Sequence, residues 1–326
     1  MKAAIIHAYG EIPQYGDIKQ PQHIKDGQAI VSVNAASIKN LDKGIVAGKH
    51  YSRPYENFPA VVGLDGIGTL EDGERVYAQA IAPYGMMAEY ALINRNTAIQ
   101  IPDNVDDITA AALPNPALSA WFSLAWRAAL QPGETVFILG ATGVTGKIAI
   151  QLAKAQGAGK IIAAGRNEAV LETLKDLGAD ETVSLNGSEA DIKARIQHQK
   201  SKHPFDVVLD YVWGHPAELL LDVLTGHDLH AVAHRTRYVQ VGEMAGPVIR
   251  LSAAALRSNS LELYGVGAGS VPKEVLKEAF TRTLPELFQL AAIGKLKIDT
   301  TPVKLQDIAS AWASADQAGK RMVVIP

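Results

Sequence analysis

One stretch constrains the fold more than any other: TVFILGATGVTGKIAIQLAKAQG, Thr135 to Gly157, where an apolar run meets three glycines within seven residues and then an amphipathic segment. Two phosphate-binding designs compete for such a turn. A mononucleotide P-loop needs four residues between its first glycine and the Gly-Lys pair, followed by a Ser or Thr for magnesium. Here five residues separate Gly140 from Gly146, and Lys147 is followed by Ile148, which has no ligating atom. The spacing Gly140, Gly143, Gly146 instead suits a strand turning tightly into a helix, with backbone near enough to touch a pyrophosphate. A strand-turn-helix that binds nothing is the alternative at this point.

The residues that follow extend the pattern. Ile148, Ile150, Leu152 and Ala153 continue a helical periodicity, and Lys160 to Ala164 reads as a second buried strand, completing a βαβ unit. That strand ends in Gly165-Arg166-Asn167, where a site for NAD would place an acidic residue on the adenosine ribose. A carboxylate there would repel a 2′-phosphate, whereas a guanidinium pairs with it, so NADPH is the expected cofactor. The competing reading is a solvated arginine opening the helix after Asn167. The cofactor-binding candidates are therefore Gly140, Ala141, Thr142, Gly143, Val144, Thr145, Gly165, Arg166 and Asn167.

Composition narrows the class. The 326 residues suffice for two domains, and a net charge of −3 provides no footprint for nucleic acid. Cysteine is absent, which removes disulfides, thiolate nucleophiles and cysteine-ligated zinc. Met1 to Ile6 enters a strand at once, leaving no room for a cleavable leader, so a cytoplasmic location is expected. The longest uncharged run, Ile108 to Trp126, is broken by Pro114-Asn115-Pro116, which argues against a membrane span.

Before Pro114 the chain is rich in short β-like runs, Ala29 to Val33, Arg75 to Ala78 and Ala88 to Ile93. Beyond Trp121, strands at Val136–Leu139, Ile161–Ala164, Val207–Leu209, Tyr238–Val241 and Leu261–Tyr264 alternate with helical patterns, the signature of a doubly wound parallel sheet. A helix over Lys273–Ile293 and a terminal strand, Arg321–Ile325, follow.

The whole chain resembles the medium-chain dehydrogenase/reductase superfamily, in its zinc-free quinone oxidoreductase branch. The resemblance rests on the order of Ala35-Ala36-Ser37 leading to Asp42, Gly63-Leu64-Asp65-Gly66-Ile67-Gly68, Gly73-Glu74-Arg75-Val76, Pro132-Gly133-Glu134-Thr135-Val136, the glycine turn, and Gly319-Lys320 before the last strand. It implies an α/β chain in which a GroES-like, mainly-β catalytic domain (1–113, completed by 268–326) accompanies a Rossmann cofactor domain (114–267). Where zinc-dependent relatives carry a Cys, a His and a second Cys or equivalent, this sequence has Lys39, Leu64 and Asn115. It departs from the quinone oxidoreductases in having Lys39 in place of their usual Asn, and in a shorter β domain around Thr69-Leu70-Glu71-Asp72.

Without a metal, a hydride acceptor must be electron-poor by itself: a quinone, or the β-carbon of an α,β-unsaturated carbonyl. The protein then binds, orients and stabilises the developing enolate or phenolate. Lys39 is a candidate for charge near that oxygen, a solvated loop lysine being the alternative. Tyr51, in a segment resembling the family's substrate-cleft loop, and Tyr84 are candidates to bond the carbonyl or relay a proton. Asp65 is expected to brace backbone. By resemblance Trp213, with Gly214, borders the nicotinamide, and Gly242 and Glu243 follow the next strand in the same way. His227, His230 and His234 have helical spacing for a metal but precede a Rossmann strand, and surface histidines are the expectation. The apolar strand Leu261 to Tyr264, expected at a sheet edge, suggests a homodimer. Three readings stand: an NADPH-dependent quinone or enone reductase, an alkenal or enoyl reductase using the same hydride chemistry, and a nucleotide-binding scaffold or sensor with little turnover.

Overall fold

Short strands punctuated by turns build one unit of the protein, and a strand-helix alternation builds the other. The computed structural model describes residues 1–22, 24–225, 234–314 and 319–326. Met1–Asn115 and Leu276–Pro326 form the first unit, and Pro116–Val275 forms the second.

The ten-residue strand Gln28–Ser37 organises the first unit. It pairs antiparallel with Tyr90–Asn94 along its first half, with Asp65–Thr69 along its second, and with Arg321–Ile325 at Ala36 and Ser37. The C-terminal strand thereby joins the sheet begun near the N-terminus. Val31 and Val33 point inward while Ser32 between them is exposed, the period-two alternation of a strand with one buried face. Ile6, Val33, Ile38, Val76, Ile93, Trp312 and Val324 belong to the core beneath it. A separate three-stranded sheet joins Gln14–Asp17, Lys2–Ile6 and Ala60–Val61.

Two elements differ from the sequence reading for identifiable reasons. The strand expected from Ala88 begins at Tyr90, because Ala88 bridges Ala3 in the other sheet and the Glu89 carboxylate accepts the Lys2 amide at 2.7 Å. The helix expected over Lys273–Ile293 comprises Lys273–Glu278 and Leu284–Ala292 joined by a π-turn, Ala279–Thr283. Pro285 has no N–H to return to the preceding turn and its ring crowds that turn's carbonyl, so the ladder widens just before it. Among the described residues no helix is long and apolar enough to cross a membrane.

The second unit is a six-stranded sheet in the order Glu181–Ser184, Lys160–Gly165, Thr135–Leu139, Val207–Asp210, Thr236–Gln240, Leu261–Gly265. Every pairing is parallel. Thr135–Leu139 and Val207–Asp210 are buried at every position, as central strands covered on both faces must be. The chain winds outward from Thr135–Leu139 in one direction and then in the other, so a topological switch point falls between that strand and Val207–Asp210. Ligands of open parallel sheets bind at the carboxyl ends of the strands at such a point.

Candidate cofactor and active-site residues

The glycine turn stands at that switch point. Gly140 has φ of 88°, in the left-handed region, and a Cβ there would come within 2.8 Å of Val212 Cγ1 on the neighbouring strand's exit loop. The Gly140 and Ala141 amides both donate to the Ala164 carbonyl, at 3.0 and 2.9 Å, tying the turn to the second strand. At Gly146 a Cβ would sit 2.5 Å from Ala141 Cα and 2.6 Å from the Gly140 carbonyl oxygen, so glycine is what lets the helix Val144–Ala155 pack against the turn.

Gly143 differs. Its φ is −78°, and among the described residues an added Cβ would meet nothing nearer than the Gly140 oxygen at 3.5 Å. Among the described residues no side chain or backbone crowds this position, so beyond its N-cap role glycine leaves the approach to the helix N-terminus open. Gly143 is also the N-cap of a twelve-residue helix that has neither a side-chain cap nor an acidic residue in its first turn. Its free amides and dipole favour an anion. The turn therefore fits the pyrophosphate of a dinucleotide.

At the end of the second strand, Gly165 is as close to the turn as a backbone can come: its Cβ would fall 2.5 Å from Thr142 Cγ2. Arg166 follows, exposed, and Asn167 caps the next helix, its side chain accepting from the Val170 amide at 3.2 Å. Glu168, the acid next in line, is occupied. Its Oε1 accepts from Ser184 Oγ at 3.0 Å and from Asn186 Nδ2 at 3.2 Å, and these bonds hold its carboxyl below the usual range.

The other lip of the switch point is built on Asp210, a residue that sequence reasoning passed over. It is fully buried; its Oδ1 accepts the Val212 and Trp213 amides, both at 2.8 Å, and its Oδ2 accepts the Tyr238 hydroxyl at 2.6 Å. Burial pushes the Asp210 carboxyl up, while the Tyr238 hydroxyl and the two amides pull the other way. Trp213 has φ of 53°, a strained position for a tryptophan, and Asp210 holds it there. The Val212 carbonyl accepts the Ala245 amide at 2.7 Å, and a Cβ on Gly242 would lie 2.4 Å from the Tyr211 oxygen, so the two exit loops are packed together. Glu243 is exposed on the second of them. The signal for Asp210 was a single acid closing the apolar run Val207-Val208-Leu209.

In the first unit, Lys39 is not a solvated loop residue. It is 1% exposed, with Nζ donating to Asp65 Oδ1 at 2.7 Å and to the Ser37 carbonyl at 3.2 Å, and lying 3.1 Å from Asp42 Oδ2. Asp42 also accepts the Lys39 and Leu64 amides, at 3.0 and 3.1 Å. Asp65, expected to brace backbone, instead joins side chains: its Oδ2 accepts the Tyr77 hydroxyl at 3.0 Å. Burial alone would lower the Lys39 ammonium; the two carboxylates outweigh it and hold the lysine protonated. Burial pushes the Asp42 carboxyl up, against the pull of Lys39. Tyr77, buried beside Asp65, is held well above the usual phenol range. The cluster ties the end of Gln28–Ser37, the helix Asn40–Val46 and the strands Asp65–Thr69 and Arg75–Gln79 to one another.

Tyr51 is 72% exposed and packs against His50 in a tilted pair with ring centroids 4.1 Å apart. Tyr84 is half-buried, in a turn closed by its amide on the Ile81 carbonyl at 3.1 Å. Of the three histidines, His227 and His230 lie outside the described residues, and His234 Nε2 lies 3.0 Å from Asp206 Oδ1. Among the described residues no group of three or more His, Cys, Asp or Glu is arranged to hold a metal ion.

An open six-stranded parallel sheet, with a glycine cradle at its switch point and a separate mainly-β unit built from both chain ends, defines a dinucleotide-binding α/β protein of two units. The Zinc-binding dehydrogenase family model matches residues 144–286. The "Probable NADPH-dependent quinone reductase tdiC" of Emericella nidulans is 25% identical, over all of both chains. Quinone oxidoreductase of Sus scrofa is 29% identical, over 78% of this chain and 75% of its own. The quinone oxidoreductase of Thermus thermophilus, solved also in complex with NADPH, superposes with a TM-score of 0.78 at 25% identity, over all of both chains. In family model, relatives and fold the chain is similar to the quinone oxidoreductases of the medium-chain dehydrogenase/reductase superfamily.

Proposed function

We propose that this protein is an NADPH-dependent oxidoreductase that reduces quinones or activated α,β-unsaturated carbonyls without a catalytic zinc. The observation that carries the reading is Gly143, whose absent side chain leaves the uncapped helix N-terminus open, in a turn whose Thr142 packs against Gly165, the residue before Arg166. Relatives named as quinone reductases, one solved with NADPH, support it.

Bound NADPH supplies the hydride. The chain's part is to seat the pyrophosphate on the turn from Gly140 to Thr145, to pair Arg166 with the 2′-phosphate, and to border the nicotinamide with Trp213, Gly242 and Glu243. Gly165 and Asn167 shape the adenosine end, one by its close approach to Thr142 and the other by capping the following helix. Tyr51 and Tyr84 are the proposed hydrogen-bond donors to the acceptor's oxygen, which gains charge as hydride arrives and is discharged by a proton. Lys39 is proposed to serve from within the first unit, as the cation of the Asp42–Asp65–Tyr77 cluster. The residues at the resemblance's zinc positions do not fit that metal: Leu64 has no lone pair, and the Lys39 ammonium, held protonated, would meet the ion as a like charge.

The deciding experiment follows NADPH absorbance against a panel of quinones, enals and alcohols, with and without exhaustive chelation. Turnover of the electron-poor acceptors, unchanged by chelation, is expected. Oxidation of alcohols with NADP⁺ in their place, or activity that zinc restores, would overturn the reading. Cofactor choice is tested separately. Arg166→Ala should weaken NADPH binding by a factor of about 10 to 100, the worth of one charge-assisted phosphate contact, and leave NADH binding unchanged. Equal loss for both cofactors would show that Arg166 does not read the phosphate.

We also propose a homodimer formed along Leu261–Gly265, which lies at the sheet edge with Leu263 39% exposed. Exposed apolar edges pair with other chains, and a two-fold axis closes such a contact. Sedimentation at micromolar concentration should show a dimer that Leu263→Lys shifts toward monomer. A native protein sedimenting as a monomer would defeat the proposal.

A further inference from the structure

We propose that Ser184 and Asn186 form a clamp that sets cofactor discrimination by detaining the Glu168 carboxylate. The inference rests on the NADPH reading above and adds residues that do not themselves pair with the phosphate.

The clamp is assembled from two adjacent strand ends. Gly165 and Ser184 are register partners in the parallel pair, so the exits of both strands leave the sheet side by side. From the exit of Glu181–Ser184, Asn186 Nδ2 donates to the Arg166 carbonyl at 2.8 Å and also reaches Glu168 Oε1 at 3.2 Å, while Ser184 Oγ reaches the same Oε1 at 3.0 Å. Arg195, from the helix Glu189–Lys202, anchors the segment in turn. Its Nε donates to the Ser184 carbonyl at 2.9 Å and its Nη2 to the Asn186 carbonyl.

The chemistry follows from charge. Glu168 stands two residues after Arg166, in the region where a carboxylate selects for a free ribose hydroxyl and against a phosphate. The chain thus carries both signs of the discriminating charge at one strand end. What decides between them is which is presented. Among the described residues the Arg166 guanidinium has no hydrogen-bond or ion-pair partner within the chain, whereas both clamp donors converge on the carboxylate. Both bonds favour the ionised carboxylate, so the clamp holds Glu168 as an anion and does not neutralise it. Releasing that anion turns it into a competitor for the site.

The test is a fluorescence titration of the full chain with NADPH and with NADH, comparing the ratio of the two affinities. In S184A/N186A the freed Glu168 should cut the preference for NADPH about tenfold, a change set by charge repulsion and seen mainly in the NADPH arm. Adding Glu168→Gln removes the charge but keeps the shape, and should restore the ratio. Simple loosening of the loop would weaken both cofactors and would not be repaired by Glu168→Gln. A native protein with no preference overturns the NADPH reading and the clamp with it. A native preference that S184A/N186A leaves unchanged, or one that Glu168→Gln fails to restore, overturns the clamp alone.

Discussion

Lys39→Met is expected to destabilise the protein by about 3–5 kcal/mol, the cost of removing one member of a buried ion cluster and leaving its partners uncompensated. Methionine preserves length and apolar bulk, so packing is nearly conserved and the lost charge dominates. Asp42 and Asp65 then face each other without the ammonium that lies 3.1 and 2.7 Å from them. The pH dependence has a definite sign. The folded Asp42 carboxyl is already pushed up by burial, so its ionisation costs stability as pH rises through the ordinary carboxylate range, and Lys39 offsets that cost. Without Lys39 the cost is larger, and acidification, by protonating Asp42, removes it. Denaturation curves at neutral and at mildly acidic pH should therefore show the deficit of Lys39→Met shrinking in acid. A deficit under about 1 kcal/mol, or one independent of pH, would mean the cluster does not bear on stability.

The second large effect is a contrast between two glycines three residues apart. Gly146→Ala places a methyl 2.5 Å from Ala141 Cα and 2.6 Å from the Gly140 oxygen, both backbone atoms that cannot rotate away. The helix must shift off the turn, at about 1–3 kcal/mol of overpacking strain, and NADPH affinity should fall with it. Gly143→Ala meets only ordinary contact, 3.5 Å from the Gly140 oxygen. Its stability should fall by only about 1 kcal/mol, the cost of exchanging an N-cap glycine for alanine. NADPH affinity should nevertheless drop by an order of magnitude or more, as the methyl occupies the space where the pyrophosphate approaches. Thermal melts with and without NADPH check both variants. A Gly143→Ala protein that is still stabilised by NADPH as strongly as the native one would remove the basis for placing the pyrophosphate at this turn.

These two predictions come from different levels of the molecule. The glycine turn was legible in the sequence, because turn geometry and close helix-strand packing are local demands that only glycine meets at fixed spacing. The parallel sheet was legible too: runs such as Val136-Phe137-Ile138-Leu139 and Val207-Val208-Leu209 are buried on both faces and so carry no polar interruption. Arg166 was visible for the same local reason, standing just past the end of a strand already identified.

What spacing alone could not show was which distant residues meet. Lys39 finds Asp65 across 26 positions, Asp210 finds Tyr238 across 28, and Glu168 finds Asn186 across 18. Each pairing is set by strand order and register, and these are decided by long-range packing of apolar faces. The same lysine is a solvated cation or a buried one according to which carboxylates the sheet brings beside it. Local chemistry along the chain therefore determined the dinucleotide cradle and the sign of the charge beside it. Tertiary structure alone decided that Lys39 is enclosed and that Asp210 holds the strained Trp213. It also decided that, of two opposite charges at one strand end, Glu168 is engaged while the Arg166 guanidinium has no partner among the described residues, because burial and pairing are properties of neighbours in space.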